Sequence, residues 1–158
     1  FCLPCLFFPA HLIAEAQTQS LDLQGVWRFQ TDVMDFRRGS LSPRYNHKLQ
    51  EEITLPGITD DYQIGYKVPY KYIDRLTRKY EYMGPAWYQR DIEIPKDWKG
   101  KRIFMYFERT HWLSSIYVDT KEVSKIDYIS VPHNHDLTEL VTPGKTHRIT
   151  VCLDNRFQ

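Results

Sequence analysis

The sequence predicts an all-β fold, an antiparallel β-sandwich of the jelly-roll type. Short segments with a period of two residues, typical of strands with one buried face, recur along the chain. Turn signals rich in Gly, Pro and Asp separate these segments at short intervals. No stretch keeps the period of about 3.6 residues that marks a helix. Roughly seven to eight short strands are therefore expected, as in a sandwich or jelly roll.

The clearest strand pattern lies within residues 82–118. Along 87–94 the apolar side chains share one face, which is expected to be buried: Tyr88, Ile92 and Ile94. The polar side chains share the other face, which is expected to be wet: Gln89, Asp91 and Glu93. Pro95 ends this strand because it lacks the N–H that a ladder requires, and Gly100 allows the turn that follows. A second strand over 101–107 and a third over 115–118 complete an antiparallel succession.

Further strands are expected on either side of this region. The alternating segments are 21–29, 52–55, 122–123 and 147–153. Two stretches without a clean period are interpreted as loops, 35–50 and 58–82, the second with room for a helical turn within 72–80. A connection as long as 58–82 inside a compact domain is usually functional.

The composition is that of a soluble globular domain. The chain has 158 residues, of which 42% are hydrophobic and 26% charged, enough for one core. A net charge of +1 without a basic stripe argues against nucleic acid or an anionic membrane as the main partner. Aromatic residues make up 15% of the chain, which suits sheets, interfaces and sugar stacking alike.

Residues 1–16 are expected to be the remnant of a secretory signal peptide. An apolar run over 1–13 precedes Ala14-Glu15-Ala16, the small-x-small pattern of a cleavage site, and 17–20 would form the mature N-terminal tail. The run is too short to span a bilayer; the alternative is a buried N-terminal segment. After cleavage only Cys152 remains, so no intrachain disulfide is expected, and the domain proper would be 21–158.

Short motifs follow one another in a set order along the chain. They are Gly25-Val26-Trp27-Arg28-Phe29, Leu55-Pro56-Gly57, Gly84-Pro85-Ala86-Trp87-Tyr88-Gln89-Arg90, Ile94-Pro95-x-x-Trp98-x-Gly100-Lys101-Arg102, Phe107-Glu108-Arg109-Thr110-His111-Trp112, Ser115-Ile116-Tyr117-Val118-Asp119-x-Lys121-Glu122-Val123, Pro132-His133-x-x-Asp136-Leu137-Thr138, Thr142-Pro143-Gly144-Lys145 and Val151-x-x-Asp154-Asn155-Arg156. The series resembles the N-terminal jelly-roll domain, often called the sugar-binding domain, of family 2 glycoside hydrolases. The resemblance covers 21–156 and implies a galactose-binding-like sandwich. Within the family, the chain looks most like the secreted enzymes of gut-type, glycan-degrading bacteria.

This resemblance implies a longer enzyme. An immunoglobulin-like domain and a (β/α)₈ barrel would follow residue 158, and the family's acid/base and nucleophile glutamates lie on that barrel. No catalytic residue is therefore expected in this chain. One departure concerns the turn at Asp119-Thr120, where family members usually carry Asn-Gly or Asp-Gly. Another turn geometry, or strain at Thr120, is expected there.

Candidate sugar contacts fall in two stretches. The first is the loop 58–82, which in this family can lean over the barrel mouth; its candidates are Asp60, Asp61, Arg75 and Arg78. The second lies between strands and is polar and aromatic, as carbohydrate surfaces are: Arg109, His111 and Trp112. The planar arginine fork would suit an acidic or sulfated sugar. The plainer alternatives are turn capping or interdomain contact for the loop, packing for Trp112 and an ion pair for Arg109.

His133 and His135 raise the question of a metal site. At i and i+2 on a strand both rings share a face, but zinc needs two further ligands, of which His111 could supply one. Hydrogen-bonded loop histidines are the favoured interpretation, and neither metal nor cofactor is expected.

Three functions stay open at this stage. The leading one is the accessory domain of a bacterial, periplasmic or secreted β-glycosidase, β-galactosidase-like, which supports the catalytic barrel and shapes the sugar pocket. The alternatives are a stand-alone carbohydrate-binding module and a purely structural domain. The expected partners are a β-linked glycan and the downstream domains of the same polypeptide; homo-oligomer formation is open.

Overall fold

The computed structural model describes residues 18–33, 44–71, 73–74 and 76–156, and in these residues the fold is all-β. The strands are β1 (Gly25–Thr31), β2 (Glu51–Leu55), β3 (Tyr66–Lys67), β4 (Tyr80–Glu81), β5 (Pro85–Glu93), β6 (Phe104–Phe107), β7 (Leu113–Val118), β8 (Lys121–Asp127), β9 (His133–Asp136) and β10 (Thr146–Asp154). Two 3₁₀ turns span Arg44–Asn46 and Lys96–Trp98. The predicted fold class is confirmed.

Six strands form the main sheet, in the order β2-β1-β5-β10-β7-β8. Every neighbouring pair is antiparallel, and the longest ladder joins β5 to β10 over nine residue pairs, from Glu93↔Thr146 to Pro85↔Asp154. Strands β6 and β9 pair as a second layer, and β3 and β4 form a small hairpin. The alternating stretch 87–94 thus provides the central strand of the main sheet.

The core lies between the main sheet and the second layer. Its buried side chains from the main sheet include Phe29, Ile92, Ile116, Ile149 and Val151, and those from the other side include Ile103, Met105, Leu137 and Val141. Burial of this apolar surface is the dominant favourable term in folding. The predicted inner positions of β5 and β6 therefore lie where the alternation places them, with Tyr88 and Phe107 partly buried against the cluster.

The outer face of the main sheet departs from the prediction, because Gln89 is fully buried rather than wet. Its amide nitrogen donates to the His47 carbonyl (2.8 Å) and to Thr150 Oγ1 (3.2 Å). Its amide oxygen accepts from Arg28 Nε (3.1 Å) and from the Leu49 N–H (3.4 Å). Residues 44–50, predicted as loop, lie over this face and exclude water from it.

Apolar side chains complete the covered part of the outer face. Leu49 packs with Trp87, Tyr117 and Cys152 in a second buried cluster. The Tyr45 ring stacks on the Tyr117 ring with centroids 4.3 Å apart. The main sheet is therefore buried on both faces near its centre, and the expected exposure holds only toward the end of β5, at Asp91 and Glu93.

The turn between β7 and β8 uses another geometry and shows no positive φ at Thr120. The residue with positive φ is Asp119 (53°), and Asp tolerates this region because its short side chain forms local hydrogen bonds. The Asp119 carboxylate accepts from the Arg148 N–H (3.0 Å) and faces His147 Nδ1 (2.9 Å). Gly100, by contrast, has the positive φ (77°) that its turn requires.

Several boundaries differ from the sequence-based ones. The first strand begins at Gly25 rather than 21, the strand expected from 101 begins at Phe104, and the last strand extends over Thr146–Asp154. No helical turn is present among the described residues of 72–80. The predicted signal remnant 1–16 lies outside the described residues.

Replacing Gln89 with Leu is expected to lower the free energy of unfolding by about 3 kcal/mol, because several buried backbone and side-chain groups lose their partner. Urea unfolding monitored by tryptophan fluorescence measures this. Glu93→Leu, an exposed position on the same face of the same strand, is the matched control and should change stability by about 0.5 kcal/mol or less. Equal effects of the two substitutions would contradict the buried role of Gln89.

Candidate carbohydrate-contact surface

One end of the sandwich gathers most of the candidate residues. The register places Thr31 beside Ala86, Pro85 beside Asp154, and Leu113 between Asp154 and Asp127. The loops that follow or precede these positions therefore meet at one edge of the main sheet. We call this surface, formed by residues 82–84, 108–112, 128–132 and 155–156, the Trp112 end.

The three candidates of the second stretch lie together at the Trp112 end. The Trp112 N–H donates to the Asp154 carbonyl (3.0 Å), which fixes the loop to the end of β10. Its half-buried ring has the His111 ring beside it, with centroids 4.8 Å apart. Arg109 and His111 are exposed, and the carboxylate partner expected for Arg109 is absent from the described part of the chain. The Arg109 guanidinium is therefore free to bind a ligand.

Exposed apolar side chains surround these residues. Met83 and Tyr128 are about two-thirds exposed, and Ile129 and Val131 about half exposed, on the neighbouring loops. Apolar side chains grouped beside an exposed polar group such as the Arg109 guanidinium are typical of a surface that receives a partner or a ligand.

The loop 58–82, called the arm below, is closed at its base by Asp60. The Asp60 carboxylate accepts from the backbone N–H groups of Lys79 (3.1 Å) and Tyr80 (2.6 Å). The β3–β4 hairpin and a hydrogen bond from Tyr80 Oη to Gln63 Oε1 (3.2 Å) add to this closure. Asp60 therefore has a structural use, the turn-capping alternative from the sequence, and its carboxylate oxygens are engaged.

The remaining arm candidates differ from Asp60. Asp61 and Arg78 are exposed, and within the described ranges their side chains form no hydrogen bond or ion pair. Arg75 lies outside the described residues. Lys67, Lys71 and Lys79 are also exposed, as are Asp74 and Glu81, so the described part of the arm presents charges of both signs to solvent.

The structure does not join the two candidate stretches into one site by a direct contact. No hydrogen bond links Asp61 or Arg78 to Arg109 or His111 in the part of the chain that the structure describes. The arm leaves β2 after Leu55, which lies beside Gly25 at the opposite edge of the sheet. It returns through β4 to Pro85 at the Trp112 end. The arm thus starts at the opposite end of the sheet and reaches the Trp112 end only where it joins β5.

The sequence-based interpretation missed a buried polar cluster under the Trp112 end. His133 and His135 were expected to be loop residues, but both are fully buried residues of β9. The His133 ring lies between two loops, with Nδ1 2.7 Å from Thr110 Oγ1 and Nε2 2.8 Å from the Tyr128 carbonyl. It therefore fixes the spacing of loops 108–112 and 128–132. The only sequence signal was the shared face of two histidines at i and i+2.

Ser114 connects the two rings. Its Oγ lies 2.7 Å from His133 Nδ1 and 2.9 Å from His135 Nε2. The other nitrogen of His135, Nδ1, is 2.6 Å from Ser124 Oγ. Each ring nitrogen thus has a hydroxyl or carbonyl partner, which leaves none directed at a metal ion. His111 is exposed beside Trp112, and the described residues contain no group of three or more metal-ligating side chains.

Burial lowers the pKa of one member of this cluster, His135. Loss of solvation, and secondly the neighbouring His133, lower the pKa of His135 to about 4 from its usual 6.5. Burial disfavours the charged form of an imidazole, because the ring loses hydration without gaining a counter-ion. His135 is therefore neutral at physiological pH.

With this geometry the fold can be placed in the class of antiparallel β-sandwich domains. Within that class the chain belongs to family 2 of the glycosyl hydrolases, because residues 20–158 match the family described as "Glycosyl hydrolases family 2, sugar binding domain". The resemblance predicted from the motif series is confirmed.

Two proteins that are similar to this chain are several times longer than it. A beta-glucuronidase of Paenibacillus borealis is 26% identical over 137 residues, which cover 85% of this chain and 21% of the relative. A beta-glucuronidase of Canis lupus familiaris is 27% identical over 143 residues, with the same coverage of each. The chain thus spans about a fifth of the length of the curated relatives that it matches.

Solved structures share the fold. A Lactobacillus rhamnosus beta-glucuronidase superposes with a TM-score of 0.70 at 23% identity, over 86% of this chain and 21% of that one. A beta-glucuronidase from an uncultured Clostridium sp. gives a TM-score of 0.68 at 22% identity, over 86% of this chain and 22% of that one.

Among the described residues, no helix has the length and apolar character needed to cross a membrane.

Replacing Ser114 with Ala is expected to lower the free energy of unfolding by about 1–3 kcal/mol, because buried imidazole nitrogens lose a hydrogen-bond partner. Ser115→Ala is a matched control. Ser115 is the next residue, equally buried, and its hydroxyl has no partner in the described structure. Urea unfolding should therefore show little change for Ser115→Ala, or a small gain; the reverse order would refute the role of Ser114.

Stability is expected to depend on pH through His135. Its folded-state pKa of about 4 lies below the ordinary 6.5, so its contribution is complete above pH 6.5 and declines as the pH falls toward 4. The stability difference between the native chain and His135→Gln should therefore shrink between pH 7 and pH 4 in urea titrations. An unchanged His135→Gln difference over that range would argue against neutral burial.

Proposed function

We propose that this chain is the N-terminal accessory domain of a β-glycosidase, supporting a catalytic barrel and shaping its sugar pocket. The observation that carries this is the family match over 20–158 combined with relatives about five times longer. The family implies that the catalytic glutamates lie on a downstream barrel. The domain would then act through its surface rather than through catalytic groups of its own.

The proposed substrate is a β-linked sugar that carries a carboxylate. The curated relatives are named beta-glucuronidases, and a glucuronide is anionic. Arg78 and Arg109 are exposed, and their guanidinium groups have no ion-pair partner among the described residues. A planar guanidinium binds carboxylates in a bidentate manner. The β-galactosidase-like activity expected from the motif series stays a prediction, with less support than an acidic substrate.

The Trp112 end is the proposed contact surface with the remainder of the enzyme and its substrate. It combines a half-buried indole, a free guanidinium and exposed apolar loops. The arm is the second proposed contact, since Asp60 closes its base and leaves Asp61 and Arg78 exposed. We also propose export to the periplasm or the medium, and homo-oligomer formation. These two points rest on the leader pattern and the family resemblance.

A stand-alone carbohydrate-binding module is the second candidate. The observation that favours it is the exposed aromatic and polar character of the Trp112 end, which needs no second domain to bind a glycan. Calorimetric titration of the 158-residue chain with acidic and neutral β-glycans separates the two functions. Binding by this chain alone favours the module, and flat titrations across the panel count against it.

In the complete polypeptide that carries this domain, Arg78→Ala and Arg109→Ala are each expected to reduce kcat/KM for an acidic β-glycoside by about tenfold, or about 1.4 kcal/mol of transition-state binding. Asp61→Ala tests the remaining arm candidate in the same assay. Arg102→Ala is the matched control, because Arg102 is exposed but pairs with Asp136 on the second layer (2.7 Å). Unchanged kcat/KM for both arginine variants would overturn the sugar-contact role.

A further inference from the structure

We propose that Ser124, His135, Ser114 and His133 form a proton relay, which carries a proton from the surface to His133 and thereby controls the two loops of the Trp112 end. The four side chains are linked in that order by contacts of 2.6, 2.9 and 2.7 Å. Ser124 is half-buried, whereas the other three are fully buried. Ser124 is therefore the entrance and His133 the end.

The protonation of His133 is fixed at one nitrogen. Its Nε2 faces the Tyr128 carbonyl at 2.8 Å, and a carbonyl can only accept. Nε2 therefore carries a hydrogen in every state. In the neutral ring Nδ1 must then be the acceptor, and its single lone pair is shared by the hydroxyl hydrogens of Thr110 and Ser114.

This assignment determines the remaining hydrogen bonds. Because Ser114 has one hydrogen and gives it to His133, its oxygen accepts from His135 Nε2–H. The neutral His135 ring then has a bare Nδ1, which accepts from the Ser124 hydroxyl. In the neutral state every donor points from Ser124 toward His133.

One proton can then enter without leaving a contact unpaired. A proton from water binds Ser124 Oγ as the Ser124 hydrogen moves to His135 Nδ1. The His135 Nε2 hydrogen moves to Ser114 Oγ, and the Ser114 hydrogen moves to His133 Nδ1. The result is a His133 imidazolium whose single Nδ1 hydrogen is directed at the oxygens of Ser114 and Thr110, and a neutral His135 with its hydrogen on Nδ1. The three contacts of the relay each keep one hydrogen, the Thr110 hydroxyl turns its own hydrogen away from Nδ1, and only His133 gains charge.

Among the described residues, no carboxylate lies against either ring to act as a counter-ion for that charge. The ring contacts of the two histidines are hydroxyls, a carbonyl, each other and the Phe107 ring. The charged groups of the adjoining elements are exposed: Glu108, Arg109 and His111 on the loop, Lys121, Glu122, Lys125 and Asp127 on β8, and Asp136 on β9, paired with Arg102. The tyrosines Tyr106 on β6 and Tyr128 on the other loop are exposed as well. On β7 the titratable group is Tyr117, which packs on the opposite face.

A buried imidazolium without a counter-ion is unfavourable. Proton uptake therefore favours opening of the structure around His133, so that water reaches the ring. His133 joins loops 108–112 and 128–132 through Thr110 and Tyr128, and these loops separate when it opens. His133 is thus a positioning residue whose protonation loosens the Trp112 end in acid, whether or not that end contacts a sugar.

The relay predicts a tautomer change that ¹⁵N NMR of the histidine side chains can detect in the 158-residue chain. At pH 7.5 both rings should carry hydrogen on Nε2. As the pH is lowered and His133 becomes cationic, His135 should stay neutral and change to the Nδ1–H tautomer. Finding His135 with hydrogen on Nδ1 at pH 7.5, or both rings becoming cationic together, would overturn the proposal.

Two variants separate the relay from simple packing. Ser114→Ala should abolish the coupling between His133 protonation and the His135 tautomer, whereas the adjacent Ser115→Ala should retain it. If Ser114→Ala does not fold, Ser124→Ala gives the same test, because without the Ser124 acceptor His135 should keep hydrogen on Nε2 throughout. Retained coupling in the folded variant refutes the relay.

Hydrogen exchange measures the consequence for the loops. After correction for intrinsic rates, amides of 108–112 and 128–132 should lose protection on acidification from pH 7.5, while those of β10 should not. His133→Gln, which cannot take up the proton, should remove this pH dependence. Loop protection that is independent of pH in the native chain contradicts the proposed control of the Trp112 end.

Discussion

The antiparallel pairing of β5 with β10 is the constraint on which the rest of the structure depends. Its nine residue pairs place the start of β5 and the end of β10 at the same edge, and β1 and β7 add to the outer sides of this pair. The Trp112 end exists because these strands begin and end in one row. At the centre of the ladder Gln89 bonds to Thr150 and to residues 47 and 49, so the same pair also holds the cover of the outer face.

Apolar alternation was enough to predict the fold and much of the core. Ile92, Ile94, Ile103 and Met105 lie where a period of two places them, because one buried face is all that this pattern reports. The second face of β5 was not predictable in the same way. Gln89 is polar, and the segment that buries it lies about 40 residues away in a stretch without any period. Hydrogen-bond partners at such separations leave no trace in the local pattern.

In the candidate site, too, residues that share one loop were predictable and contacts between distant segments were not. Asp60 was recognisable as a capping residue from its loop, while the partners that it caps lie 19 and 20 residues further on. Arg109, His111 and Trp112 were grouped by their sequence and are grouped in space, since they share one loop. The histidine cluster was misassigned to a loop, because His133 and His135 acquire their meaning from Ser114 and Ser124 on two other strands. Sequence order does not reveal such convergence.

The closure of the arm at its base has a consequence for how this surface changes over evolution. Asp60 and the β3–β4 hairpin join the two ends of the arm before the exposed segment begins. The length and composition of that segment can therefore change with little cost to the sandwich, because the entropy of loop closure grows slowly with length. Under the proposed function, replacing this segment alone would change the preference for glycan size or charge while the scaffold stays the same.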